Sequence, residues 1–198
     1  MPTRLKTAPA AEPVDLATIK THLRIGTTDA AEDNLVEDMI TAARQMAESF
    51  TQRAFISQTW ELLLDNFPGS GVARRALVLP YAPLSSVVSI KYIDTAGVEQ
   101  TLDGSKYVVD ADTVPGRINL AYGESWPAVR DQPNAVTVEF IAGYGTTAAD
   151  VPDLIRQAIK MIVGHMFENR EDTAPGNLRE IPMNSQWMLN PYKVFGVI

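Results

Sequence analysis

The hydrophobic period changes twice along this chain, and that switch limits its fold more than any single motif does. Apolar residues recurring at threes and fours form one stripe of a helix, whereas strict alternation forms one face of a strand. A segment written in one period does not settle stably into the other structure. The 198 residues therefore read as helix-patterned ends around a strand-patterned middle.

Residues 1–13 hold three prolines and read as an extended lead-in. Asp15 is a candidate N-cap for a short helix reaching about residue 24, with Leu16, Ile19 and Leu23 on one stripe. Gly26-Thr27-Thr28 breaks it, and Asp29 with Glu32 has capping-box-like spacing for a longer helix to about residue 51. Its expected apolar stripe is Leu35, Met39, Ile40, Ala43, Met46, Ala47 and Phe50, which needs a partner within the fold.

From Ser57 the period is two. Trp60, Leu62 and Leu64 alternate with Glu61, Leu63 and Asp65, and Val88, Ile90 and Tyr92 with Ser89, Lys91 and Ile93. Asp94-Thr95-Ala96-Gly97 fits a hairpin turn, because glycine accepts positive φ. Short strands are expected over residues 107–109, 117–120 and 135–142, separated by Pro- and Gly-rich turns. Asp150 and Pro152 announce a further helix to about residue 170, with Ile155, Ile159, Ile162, Val163, Met166 and Phe167 on one side. After Glu171 neither period is visible.

The expected fold class is α+β: a helical bundle of three main helices, an antiparallel β region inserted between the second and third, and an extended C-terminal tail. By residues this is a lead-in (1–13), a helical part (14–56), the β insertion (57–145), a closing helix (146–170) and an interaction tail (171–198).

Composition removes much chemistry. There is no cysteine, so disulfide scaffolds, thiolate metal sites and cysteine nucleophiles are absent together. Seventeen Lys and Arg against 24 Asp and Glu give a net charge of −7, the wrong sign for gripping nucleic-acid phosphates over a broad face. No apolar stretch is long enough for a membrane span, and none follows Arg4 and Lys6 as an export signal requires. Synthesis in the cytoplasm is expected.

The search for an active centre returns near misses. Gly123-Glu124-Ser125-Trp126-Pro127 has proline where a nucleophile elbow needs its second glycine, and reads as a turn. Asp110 and Asp112 lack the glutamate and remaining spacing of a calcium loop. His165 and Glu168 form one pair where a metal would need two, so His165 is expected to hydrogen-bond beside its helix, and His22 to be a polar neighbour of Leu23. Arg74-Arg75 reads as a loop tip, and Pro80-Tyr81-Ala82-Pro83 as a rigid turn after a strand. No catalytic, cofactor or metal residues are assigned, and no enzymatic activity is expected.

What remains is the apolar, aromatic tail with Trp187, Met188, Leu189, Tyr192 and Phe195. It either folds back on its own unit or docks on another protein. Burying three aromatics gains roughly 11–19 kcal/mol gross. Ordering a dozen residues costs on the order of 12–24 kcal/mol. One tail is near break-even alone, and several engaging a multimer together gain by effective concentration. The alternative is a β-rich binding module recognising a ligand or host surface, with Trp126 and Tyr144 as exposed aromatics. A small hydrolase using Asp110 and Asp112 has no supporting base or metal set.

Several stretches also carry a family resemblance. Residues Glu12-Pro13-Val14-Asp15-Leu16 through His22-Leu23-Arg24, and Leu35-Val36-Glu37 through Thr59-Trp60-Glu61-Leu62, resemble phage head–tail connector (adaptor) proteins of long-tailed phages. So do Ser125-Trp126-Pro127 through Asn134-Ala135-Val136, Phe140-Ile141-Ala142-Gly143-Tyr144-Gly145, and Val151-Pro152-Asp153-Leu154-Ile155 through Ile159. Phage-derived gene transfer agents carry a similar adaptor. The resemblance implies a structural part of the particle's neck, a homo-oligomeric ring of usually twelve copies between the portal and a tail-side stopper or tail terminator protein. DNA would pass through the ring without specific binding, and no membrane is involved. It further implies that Trp187, Met188, Leu189, Tyr192 and Phe195 face the portal. Twelve copies at −7 each would total roughly −84, which repels passing DNA wherever that charge faces the channel.

Overall fold

The computed structural model describes residues 2–26, 30–69, 76–169 and 183–195. The fold is α+β and divides into two compact units, one from residues 10–56 and 145–193, the other from 1–9, 57–144 and 194–198.

The helical unit contains α1 (Leu16–Leu23), α2 (Asp33–Thr51), α3 (Asp153–Glu168) and α4 (Met183–Leu189), the last followed by a 3₁₀ turn at Asn190–Tyr192. Asp15 caps α1 as its residue type foretells, accepting from the Thr18 amide and hydroxyl at 2.8 Å each. Arg24, not Gly26, ends the helix in the left-handed conformation at φ 59°. α2 begins at Asp33, and Glu32 at its N-cap makes no side-chain capping bond; Asp29, the expected cap, lies outside the described residues.

α2 packs on α3, and α1 contacts both. The buried face of α2 is Val36, Ile40, Ala43, Arg44, Ala47, Glu48 and Thr51, rotated from the expected stripe. Leu35 and Met46 are instead 38% exposed. The reason is that two charged residues go inside. Arg44 lies between Glu12 and Glu48, its Nε donating to Glu12 and its Nη1 to Glu48 at 2.8 Å each. The other Glu48 oxygen accepts the Phe55 amide at 2.8 Å. Burial opposes the Arg44 charge, and the two carboxylates outweigh it, holding the guanidinium above its ordinary range. Lys20, 4% exposed, is likewise paired with Asp33 at 2.5 Å. α3 buries Ile155, Ala158, Ile159, Ile162 and Val163. Before it, the Asp150 carboxylate accepts from the Thr147 amide and hydroxyl at 2.9 Å. Gly145 makes room for this, since a Cβ there would stand 2.3 Å from that carboxylate.

Among the described residues the second unit holds eight strands: β1 (Thr3–Thr7), β2 (Gln58–Leu64), β3 (Leu77–Val78), β4 (Leu84–Ile93), β5 (Glu99–Thr101), β6 (Tyr107–Asp110), β7 (Arg117–Leu120) and β8 (Val136–Ala142). Five form an antiparallel sheet in the order β1-β2-β8-β4-β5, and three a smaller one in the order β3-β7-β6. Register places Leu62 opposite Val138, and Val138 opposite Ile90, so alternation gathers Leu62, Ile90, Val138 and Phe140 into a buried core with Ile118 and Leu77. Gly97 at φ 88° turns the β4–β5 hairpin, and the Asp94 carboxylate accepts the Ala96 and Val98 amides beneath it.

Two expectations are corrected. The C-terminal segment is not a purely extended tail, because α4 and its 3₁₀ turn make a fourth helical element. Residues 3–7 of the lead-in form a strand that pairs with β2, while the prolines at positions 2, 9 and 13 fall outside it and remove no ladder donor.

Candidate interaction surfaces

The residues that looked chemical have structural occupations. Asp110 accepts from Arg117 Nε at 2.9 Å and from the Thr113 amide at 3.2 Å, and the Arg117 bond holds its carboxyl below the usual range. Asp112 is exposed. His165 is exposed, and it is hydrogen-bonded beside its helix as expected, its Nδ1 lying 3.3 Å from the Asn169 side-chain nitrogen and its carbonyl accepting from the same group at 3.0 Å, while His22 is exposed on α1. Arg74-Arg75 lies outside the described residues. Among the described residues no group of three or more His, Cys, Asp or Glu is placed to hold a metal ion. No described helix is long and apolar enough to cross a membrane.

The exposed aromatics imagined for a β-rich binding module are not exposed. Trp126 stacks on Phe67 with ring centroids 4.7 Å apart and planes 5° apart, and Phe67 meets Tyr92 edge-on. Tyr144 is half-buried. The β unit's exposed apolar residues include Leu5, Val88, Val98, Val108, Val114 and Tyr122, spread over separate strands and turns. Single apolar residues of that kind are ordinary surface.

The C-terminal residues separate by environment. Leu189 is fully buried, and Ser185 with it, so Leu189 belongs to the core of its own unit. Met188 and Tyr192 are half-buried. Arg53 Nε donates to the Tyr192 carbonyl at 2.5 Å, and the Lys193 ammonium lies 4.7 Å from the Phe50 ring centroid. These contacts tie the segment to the end of α2. Trp187 is 70% exposed and Phe195 77%.

Sequence reasoning missed two apolar surfaces. One is a groove of about 360 Å³ in which Trp187 and Met188 meet Leu154 and Met161 of α3, with Asn184 at its margin. The other is a shallow hollow of about 520 Å³ on the outside of α2, lined by Ala42, Gln45, Met46, Ser49 and Phe50. The signal for the second was present. α2 carries more apolar residues than one stripe accommodates, and reading them as a single stripe hid the surplus.

Comparison with known proteins gives these surfaces a context. Residues 13–80 match the family described as phage gp6-like head-tail connector protein. No curated protein matches the chain in sequence. Among solved structures, a chain in the neck of an empty gene transfer agent particle, computed with C6 symmetry, superposes with a TM-score of 0.82 at 26% identity. A chain in the virion of a native gene transfer agent particle gives 0.80 at 24%, and one in the neck of a native particle computed with C12 symmetry gives 0.75 at 24%. Each alignment covers 100% of this chain and 98% of the other. The resemblance read from the sequence therefore holds, over residues 13–80 in the family match and over the whole chain in fold.

Proposed function

We infer that the chain is a structural head–tail adaptor, a component of the neck of a phage or phage-like particle that assembles there as an oligomeric ring. The observation that carries this is the full-length likeness to a neck chain of a gene transfer agent particle, at 26% identity and a TM-score of 0.82. The match of residues 13–80 to the connector family supports it independently. Its role is mechanical: it joins capsid to tail and surrounds the DNA channel.

The finer assignments are proposals. The ring has twelve copies, in keeping with the C12 symmetry of one related neck. It sits between the portal on the capsid side and a stopper or tail terminator protein on the tail side. Of the five residues singled out for portal contact, Leu189 is occupied in its own core, and Trp187 and Met188 share a groove with α3. Portal contact is therefore assigned to the far end of the segment, past Tyr192, with Phe195 as its anchor.

Two measurements test this. Negative-stain images of the purified chain are expected to show closed rings, and a strictly monomeric protein at high concentration overturns the reading. Phe195→Ala is expected to form those rings yet lose at least tenfold in binding to portal-bearing, tail-less heads. Undiminished binding removes Phe195 from the portal contact. A truncation at Glu171 would be uninformative, because it deletes α4 and the buried Leu189 with it.

A further inference from the structure

Residues 42, 45, 46 and 49 stand at i, i+3, i+4 and i+7 along α2, the four corners of a hole into which a knob from a neighbouring helix packs. Here the corners are Ala42, Gln45, Met46 and Ser49, with Phe50 closing one side. Ala42 and Ser49 are small, so the helix surface dips between the larger side chains. Its floor is apolar, and its rim offers two hydrogen-bond acceptors, the Gln45 amide oxygen and the Ser49 hydroxyl.

On α4 of the same unit stands a knob of matching chemistry. Trp187 is 70% exposed, and an indole combines a broad apolar body with a single N–H donor. The groove around Trp187 shares no residue with the hollow on α2. Each copy thus carries one knob and one hole. That is what cyclic assembly requires, because neighbours in a ring join head to tail through two unlike patches, whereas a two-fold dimer uses one patch twice.

We propose that Trp187 of one copy seats in the α2 hollow of the next copy around the ring, its N–H donated to Gln45 or Ser49. The occupant of the hollow is a second copy of this chain. The inference rests on the ring reading above and deepens it by naming the contact. A tryptophan buried this way removes about 150–250 Å² from water, the kind of anchor that dominates interface energies.

The chain has no cysteine, so an introduced pair reports without background. Gln45→Cys and Asn184→Cys, combined in the full chain, leave the indole in place, Asn184 being exposed one turn before it on α4. A short bismaleimide is expected to give a covalent ladder extending beyond the dimer, and each single-cysteine variant none. Ser49→Leu, which fills the hollow, and Trp187→Ala are expected to lower the assembled fraction more than tenfold at a concentration where the parent is fully assembled, with helical circular dichroism unchanged. Should Trp187→Ala fail to fold, the cross-linking result, obtained with the tryptophan intact, decides. A parent that forms no rings overturns the ring reading, and this contact with it. A parent that forms rings while the double-cysteine ladder stops at dimers or is absent, or Ser49→Leu that assembles normally, overturns the contact alone. Trp187→Ala that closes rings but fails to join portal-bearing heads also overturns it, and returns Trp187 to the portal.

Discussion

The two units differ in which charges they bury and in how their exposed apolar residues are grouped. The β unit buries a carboxylate, Glu61, under cations that stay at the surface: Arg4 and Lys6 flank it, Lys6 reaches Glu139 at 2.7 Å, and Lys91 meets Glu99 at 3.0 Å, while its exposed apolar residues are scattered singly. The helical unit buries charge, with Arg44 between Glu12 and Glu48 and Lys20 on Asp33. It leaves Leu35, Met46, Leu154 and Trp187 at the surface. Apolar residues at the surface that gather in a hollow or groove, as Met46 and Phe50 do on α2 and Leu154 and Trp187 do beside α3 and α4, mark an interaction surface. Apolar residues exposed singly, as in the β unit, are ordinary surface. We therefore assign the contact between copies to the helical unit.

The largest expected effect breaks that comparison directly. Met46→Glu places a charge in the α2 hollow and is expected to abolish ring formation. Val98→Glu, at a comparably exposed apolar position in the β unit, is expected to leave rings unchanged. Size-exclusion chromatography with light scattering reads both. If the two variants assemble alike, the division between an assembling and a self-contained unit is wrong.

Next in size is the interior charge. Arg44 has a side chain only 7% exposed between two carboxylates. Removing one member of such a cluster strands the others in a poorly solvated site. Arg44→Met is expected to destabilise the chain by about 3–5 kcal/mol in urea unfolding. Adding Glu48→Gln, which keeps an oxygen for the Phe55 amide, is expected to recover part of that loss. A second change that deepens the loss would mean Glu48 acts mainly through some bond other than the ion pair.

The same residues explain what could be read in advance. The period switch located α1, most of α2 and α3, and strands near residues 58–64, 84–93, 107–110, 117–120 and 136–142, because periodicity records which face is buried. It misled at α2, where Arg44 and Glu48 are inside and Leu35 and Met46 outside. An ion pair that satisfies itself removes the usual reason for a charge to face water, and nothing local in the sequence announces that Glu12 will arrive to complete it. β1 escaped notice for another reason, and β3 and β5 were legible only through the turns at Pro80–Pro83 and Asp94–Gly97 that adjoin them. They are short, and β1 and β5 are mostly exposed edge strands defined by hydrogen bonds to distant partners rather than by an apolar pattern. The C-terminal helix was hidden by its length of seven residues, too few to display a period. Aromatic content marked the segment for interaction, yet could not separate Leu189, which serves the core, from Trp187, which faces out.

The smallest expected effect concerns a feature the sequence did disclose. Asp15 caps α1 through the Thr18 amide and hydroxyl, and those bonds, the amide first, hold its carboxyl below the ordinary value. Asp15→Ala is expected to destabilise the chain by about 1 kcal/mol at neutral pH. A carboxyl whose folded pKa is depressed stabilises the fold above its unfolded pKa, near 3.8, and that contribution is lost as pH falls through the lower folded value. The gap in urea midpoint between parent and Asp15→Ala should hold from pH 7 to about pH 5, then close on further acidification. Because α1 lies in the helical unit, the comparison sharpens once more. If assembly is driven by the outer apolar faces rather than by helix ends, this variant should assemble as the parent does even where its stability is lower. A ring that weakens in step with the lost cap would instead tie α1 to the contact between copies.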